Sequence, residues 1–151
     1  NGTFVRFRKP SYALDNGNRQ VTSKYKPKES KSSIQRIENN WDIKDKTEES
    51  MIIKELECSG CKFNFSIVKN CHIYVFSDAT AVFYTVYDTT DGKPKKADSF
   101  LEIEVNEDNM KFTTEEQAWA VITKYEKILE PLGISARKRL YNSLFAMYRR
   151  D

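Results

Sequence analysis

The sequence predicts an α+β fold: an antiparallel β-sheet, arranged as a meander, followed by two C-terminal helices. Three observations carry this. Residues 62–68 (KFNFSIV) place Phe63, Phe65 and Ile67 on one side and Asn64 and Ser66 on the other, and 100–105 (FLEIEV) set Leu101, Ile103 and Val105 against Glu102 and Glu104. That period of two belongs to a half-buried strand. Beyond residue 113 the apolar spacing lengthens: Ala118, Val121, Ile122, Tyr125, Ile128 and Leu129 form one helical stripe.

Taken in order, residues 3–8 (TFVRFR) alternate as a strand that ends at the Lys9-Pro10 step. Asn16-Gly17 is a hairpin-turn dipeptide, and RQVTSKYK supplies the returning strand. The Lys/Ser-rich run 26–33 (KPKESKSS) reads as a flexible basic loop. Residues 34–49 are ambiguous: Ile34, Ile37 and Trp41 have helical spacing, whereas Trp41 and Ile43 alternate. Strands are expected at 51–57 (MIIKELE), 62–68, 71–77 and 81–88, with a short turn at Lys69-Asn70. AVFYTVYD is apolar on both faces, as a central strand should be. A polar loop over 88–99 leads to the strand at 100–105, giving a sheet of five to seven strands covered by the C-terminal helix.

Thr113 and Glu116 form a capping box that opens the first helix, and Pro131 with Gly133 closes it. Ser135 then caps a helix over 136–151 with Leu140, Tyr141, Leu144, Phe145 and Tyr148 on one side. Strands first and an amphipathic helix last, seen in AVFYTVYDTTDGKPKKADSFLEIEV and the capped helix, resembles in pattern the pleckstrin-homology superfold, which includes phosphotyrosine-binding, Ran-binding and EVH1-type domains. That resemblance concerns architecture and implies no activity.

With 151 residues, 39% of them hydrophobic and 19 aromatic, one domain spanning 1–151 is expected. The missing initiator Met suggests a domain excised from a longer chain. No apolar run is long enough to cross a membrane as a helix. Three cysteines are too few and odd in number for a disulfide framework, so an intracellular setting, cytoplasmic or nuclear, is expected. Sequons occur at Asn1 and Asn64. Charge is segregated: residues 1–36 carry net +7, 37–116 net −8 and 117–151 net +4, within an overall +3.

All three cysteines and the single histidine fall within fifteen residues: Cys58, Cys61, Cys71 and His72. Zinc requires four converging ligands, and neighbouring Cys71 and His72 on a strand point to opposite faces. A redox Cys-x-x-Cys pair ordinarily starts a helix, which this context lacks. The reading is therefore of small apolar fillers, with no metal and no cofactor. Phosphate-binding glycine loops, nucleophile elbows and calcium loops are also missing.

Two basic clusters, Lys93, Lys95 and Lys96 and then Arg137, Lys138 and Arg139, are the candidate anion- or partner-binding residues. Leu140, Leu144 and Phe145 are candidates for self-association. The function expected is a non-catalytic protein-protein interaction or assembly module, a scaffold element that takes a peptide segment along a sheet edge or groove and its C-terminal helix. The alternative is a nucleic-acid (RNA) or anionic-lipid binding domain using the basic patches.

Overall fold

A computed structural model describes residues 4–9, 19–25, 37–106, 114–140 and 143–150. The Asn16-Gly17 turn, the 26–33 loop and Thr113 lie outside them. The elements form an α+β arrangement of antiparallel strands and helices, divided between two compact units, Asn1–Phe63 and Asn64–Asp151.

In the first unit, β1 (Phe4–Arg8), β2 (Arg19–Tyr25) and β3 (Ile37–Ile43) form an antiparallel sheet in that order. The register pairs Thr22 with Asn40, and the fully buried Thr22 hydroxyl donates to Asn40 Oδ1 at 2.7 Å. Val21 and Ile43 are buried too, on the opposite face of the sheet from Thr22. Of the ambiguous segment 34–49, Ile37–Ile43 is thus a strand, residues 46–49 open a helix, and 34–36 lie outside the described residues.

Residues 51–57 are helical, not a strand: they lie within α1 (Lys46–Cys58). Asp45 caps this helix by accepting from the amides of Thr47 and Glu48 at 2.8 and 2.9 Å. Glu48 reaches back to the Lys44 amide at 2.8 Å. Those contacts satisfy donors that every helix start leaves open, and Ile52 and Leu56, one turn apart, are its half-buried apolar pair. A 3.2 Å ion pair between Arg19 and Glu49 ties α1 to β2.

The second unit holds β4 (Ile67–Val75), β5 (Ala79–Asp88) and β6 (Lys95–Val105), again an antiparallel meander with β5 in the middle. The single sheet of five to seven strands is therefore corrected to two sheets of three. Residues 62–66 are irregular despite their alternation, with Phe63 exposed. Lys69-Asn70 is not a turn, because β4 runs straight through it in register with Val86 and Thr85. The turn falls instead at Ser77-Asp78, closed by the Phe76 amide donating to Ala79 O at 2.8 Å. The 88–99 loop is shorter than expected, since Lys95 already pairs with Asp88.

The stripe of α2 (Glu115–Leu129) buries Val121 and Tyr125 against Ala79, with Ile103 and Val105 packed around them. Thr114 is its N-cap, without a side-chain bond. Gly133 ends the following 3-10 turn (Glu130–Leu132) at φ 77, a conformation that glycine adopts without strain. The helix expected over 136–151 is broken. A 3-10 turn, Ala136–Lys138, is followed by α3 (Leu144–Tyr148), which starts at Ser143 rather than Ser135. The Ser143 hydroxyl accepts from the Ala146 amide at 3.2 Å.

Phe65 packs on Phe145 and Tyr148, with ring centroids 5.9 and 6.3 Å apart. The Asn64 carboxamide exchanges two hydrogen bonds with the Arg150 backbone, at 2.8 and 2.9 Å. The C-terminal segment is thereby strapped to the chain just ahead of β4.

Val86 is fully buried at the β-bulge between Thr85 and Tyr87. Val86→Ala deletes two buried methyl groups and should lower stability by about 2 kcal/mol. The shift in urea midpoint, at unchanged slope, measures this.

Candidate interaction surface

Natural edge strands are blunted by lysines, prolines, bulges or brevity, because their unpaired backbone groups template further strands. β4 has almost none of these defences. It is nine residues long, contains no proline, and pairs only with β5 in its sheet. The bulge of this sheet lies on the β5–β6 side. Its one lysine, Lys69, is folded over the sheet face, with Nζ 3.9 Å from the Tyr84 ring centroid and 3.8 Å from Glu102.

From Asn70 to Val75 every residue is exposed, and none is an acid, Lys or Arg. Ile73 is 63% and Val75 73% exposed. The register opposes Cys71 to Tyr84 and His72 to Phe83, so Cys71, Ile73 and Val75 share one face while His72 and Tyr74 share the other. Tyr74 meets Phe83 edge-on at 6.0 Å. Tyr84 donates to Glu102 at 2.6 Å, and burial first, then that carboxylate, holds its phenol well above the ordinary value.

The end of this edge is held rigidly. Asp78, in the β4–β5 turn, accepts from the Lys124 ammonium at 2.8 Å and from the Tyr125 hydroxyl at 2.5 Å. Tyr125 also stacks on Phe76 at 4.8 Å. After β6, the Asn106 amide donates to Asp78 O at 3.0 Å and its side chain donates to Phe76 O at 2.9 Å. Donation from Lys124, then from Tyr125, holds the Asp78 carboxyl below its ordinary value. Nothing local in the sequence announces this role. Asp78 lies there only between the strands expected at 71–77 and 81–88, and its partners lie 46 and 47 positions away.

Three of the six residues in the basic clusters, Arg139, Lys138 and Lys95, have partners within the chain. Both Arg139 Nε and Nη2 donate to the Glu126 carboxylate, and the guanidinium lies 4.7 Å from the Trp119 ring. Lys138 donates to Gly133 O at 2.8 Å, while Arg137 is exposed. Lys95 pairs with Asp91 at 3.3 Å and Lys93 is exposed; the Lys96 side chain lies outside the described residues. Asp91 and Asp88 also hold Arg150, at 2.9 and 3.4 Å. The two clusters are thus tied to different partners and do not form one patch through these contacts.

Of the self-association residues, Leu140 is 62% exposed, whereas Leu144 and Phe145 are half-buried and Phe145 lies on Phe65. The cysteines are exposed free thiols, not buried fillers. Cys58 is the last residue of α1 and Cys61 follows its end, while Cys71 and His72 lie on β4. Among the described residues no group of three or more His, Cys, Asp or Glu is placed to hold a metal ion, and no helix is long and apolar enough to cross a membrane. Comparison with protein-family profiles, with curated proteins and with solved structures finds no match to this chain.

A carboxylate whose pKa is lower folded than unfolded stabilises the fold above the unfolded value, here 3.8, and loses that contribution as pH falls through the folded one. Asp78→Asn should therefore be less stable than the parent chain at neutral pH. It should also lose less stability between about pH 5 and pH 3. Asp88 and Asp91, lowered chiefly by Thr90 and by Arg150 respectively, leave a residual slope of the same sign. Thermal midpoints of both proteins across that range measure the difference, and parallel curves would count against the Asp78 contacts.

Proposed function

We propose that this chain is a non-catalytic protein-binding module that captures an extended segment of a partner protein by strand addition along β4. The observation that supports this most is the edge itself, without an acid, Lys or Arg from Asn70 to Val75 and with Ile73, Tyr74 and Val75 in the open. Backbone groups on the outer side of such a strand supply affinity, and alternate side chains supply selectivity. Ile73 and Val75 would read one side of the incoming strand and Tyr74 the other. The segment best suited to this surface is proline-free, low in charge, and carries β-branched or aromatic residues at alternate positions.

Two other readings have less support. Self-association through Leu140, Leu144 and Phe145 would have to compete with the Phe65–Phe145 contact. Nucleic-acid or anionic-lipid binding would rest on clusters in which Arg139, Lys138 and Lys95 already have partners within the chain.

Selection from a displayed library of random peptides tests the proposal. Enriched sequences should alternate as described. The double variant Ile73→Lys, Val75→Lys should weaken a selected peptide about tenfold or more without moving the thermal midpoint, because both positions are exposed. Binding that ignores these substitutions would overturn the proposal. So would a dimer in light scattering that the double variant dissolves, which would put a second copy on the edge. Affinity only for a random oligonucleotide pool, falling as salt rises, would favour the nucleic-acid reading instead.

A further inference from the structure

The end of α1 carries a feature that strand capture does not use. Cys58 is its last residue, Ser59 is the C-cap, and Gly60 follows at φ +86. The Gly60 amide donates to Glu57 O and the Cys61 amide to Leu56 O, each at 2.9 Å. This pair of bonds is the Schellman closure, which folds the chain back over the last helical turn. Only a residue free of a Cβ takes that φ without strain, so the turn depends on Gly60. A Cβ at this position would meet no atom within 4 Å, so it is the backbone conformation, not crowding, that calls for glycine.

Cys58 and Cys61 flank Ser59 and Gly60, the two residues over which this closure reverses the chain. The reversal of the chain over Ser59-Gly60 folds Cys61 back over the helix end, the kind of approach that a disulfide, with Cα atoms roughly 4.4–6.8 Å apart, requires. Both thiols are free and exposed.

We propose that Cys58 and Cys61 form a dithiol/disulfide site whose co-substrate is a low-molecular-weight disulfide of the glutathione class. One of the two thiolates attacks a sulfur of that reagent. The reagent S–S bond breaks, a mixed disulfide forms, and one small thiolate leaves. The second cysteine thiolate attacks the protein sulfur of the mixed disulfide and expels the other small thiol. The pair gives up two electrons and two protons, and the reagent, reduced to two thiols, takes them. The resulting ring replaces a hydrogen-bonded helix end with a covalent one, so the last turn of α1 no longer frays. Cys71, an exposed thiol on β4 in register with Tyr84 and outside the Cys58–Cys61 turn, is an internal control.

The test equilibrates the full chain in buffers of oxidised and reduced glutathione, quenches with acid, and maps the products by mass spectrometry. Trypsin releases residues 55–62 as one peptide containing both cysteines. Loss of two hydrogens from that peptide is expected, with Cys71 carrying only a glutathione adduct. Amides 59–61 should exchange more slowly in the oxidised chain. In Cys58→Ser the reaction should stop at an adduct on Cys61. In Gly60→Val, whose side chain strains the turn, the equilibrium constant for ring formation should fall about tenfold. The proposal is overturned if Cys58 and Cys61 both end as glutathione adducts, if they cross-link separate chains, or if Gly60→Val closes the ring as readily as the parent.

Discussion

The contact on which the second unit most depends is the acceptance of two hydrogen bonds by one carboxylate, that of Asp78. A two-residue hairpin turn would ordinarily be among the softer places in a sheet. Here Lys124 and Tyr125 reach it from α2, and Asn106 grips its backbone from the end of β6. Tyr125 serves twice, because its ring packs on Phe76 and in the apolar cluster while its hydroxyl meets Asp78. Burying a phenol this way carries little desolvation cost, since its polar tip has a charged acceptor. The helix is thus fixed to the sheet at the apolar cluster of Ala79, Val121 and Tyr125 and at a polar point beside it.

The opposite end of β4 is held by different means. Asn64 imitates a backbone amide toward Arg150, Phe65 meets Phe145 and Tyr148, and the Arg150 guanidinium reaches Asp91 and Asp88. Between these ends lies a strand whose exposed stretch has no charged guard. Lys69, which could have served as one, spends its charge on the Tyr84 ring and Glu102. A strand edge held at both ends has already lost much of the freedom that binding would otherwise remove, which favours capture of an extended segment.

Much of this was legible in the sequence where local signals and tertiary packing agree. Residues 81–88 and 100–105 lie within β5 and β6, and of the stripe from Ala118 to Leu129 Val121 and Tyr125 are buried, although Ile128 is exposed. The miss at 51–57 has a physical cause. Met51-Ile52-Ile53 is too short a run to fix a period, while the signal that decides it, Asp45 with Glu48 three residues on, lies upstream. Spacing could not show the interruption of the last helix: the apolar period continues through 140–148, while Arg139, between the 3-10 turn and α3, meets Glu126 and Trp119 on α2, partners that no local pattern names. Strand identity likewise does not reveal strand order: nothing in residues 67–75 says that this strand lies at an edge, and nothing in Asp78 names its partners.

Amide hydrogen exchange resolved residue by residue along β4 in the free chain tests the central claim most directly. In an antiparallel edge strand, successive amides alternate between bonds to the neighbouring strand and the open side. Slow and fast exchange should therefore alternate from Asn70 to Val75, against uniformly slow exchange in the central strand β5. Protection of every β4 amide would mean that the edge is already covered, and fast exchange of all of them would mean that the pinned hairpin is not held. Either result would contradict an open, rigid edge.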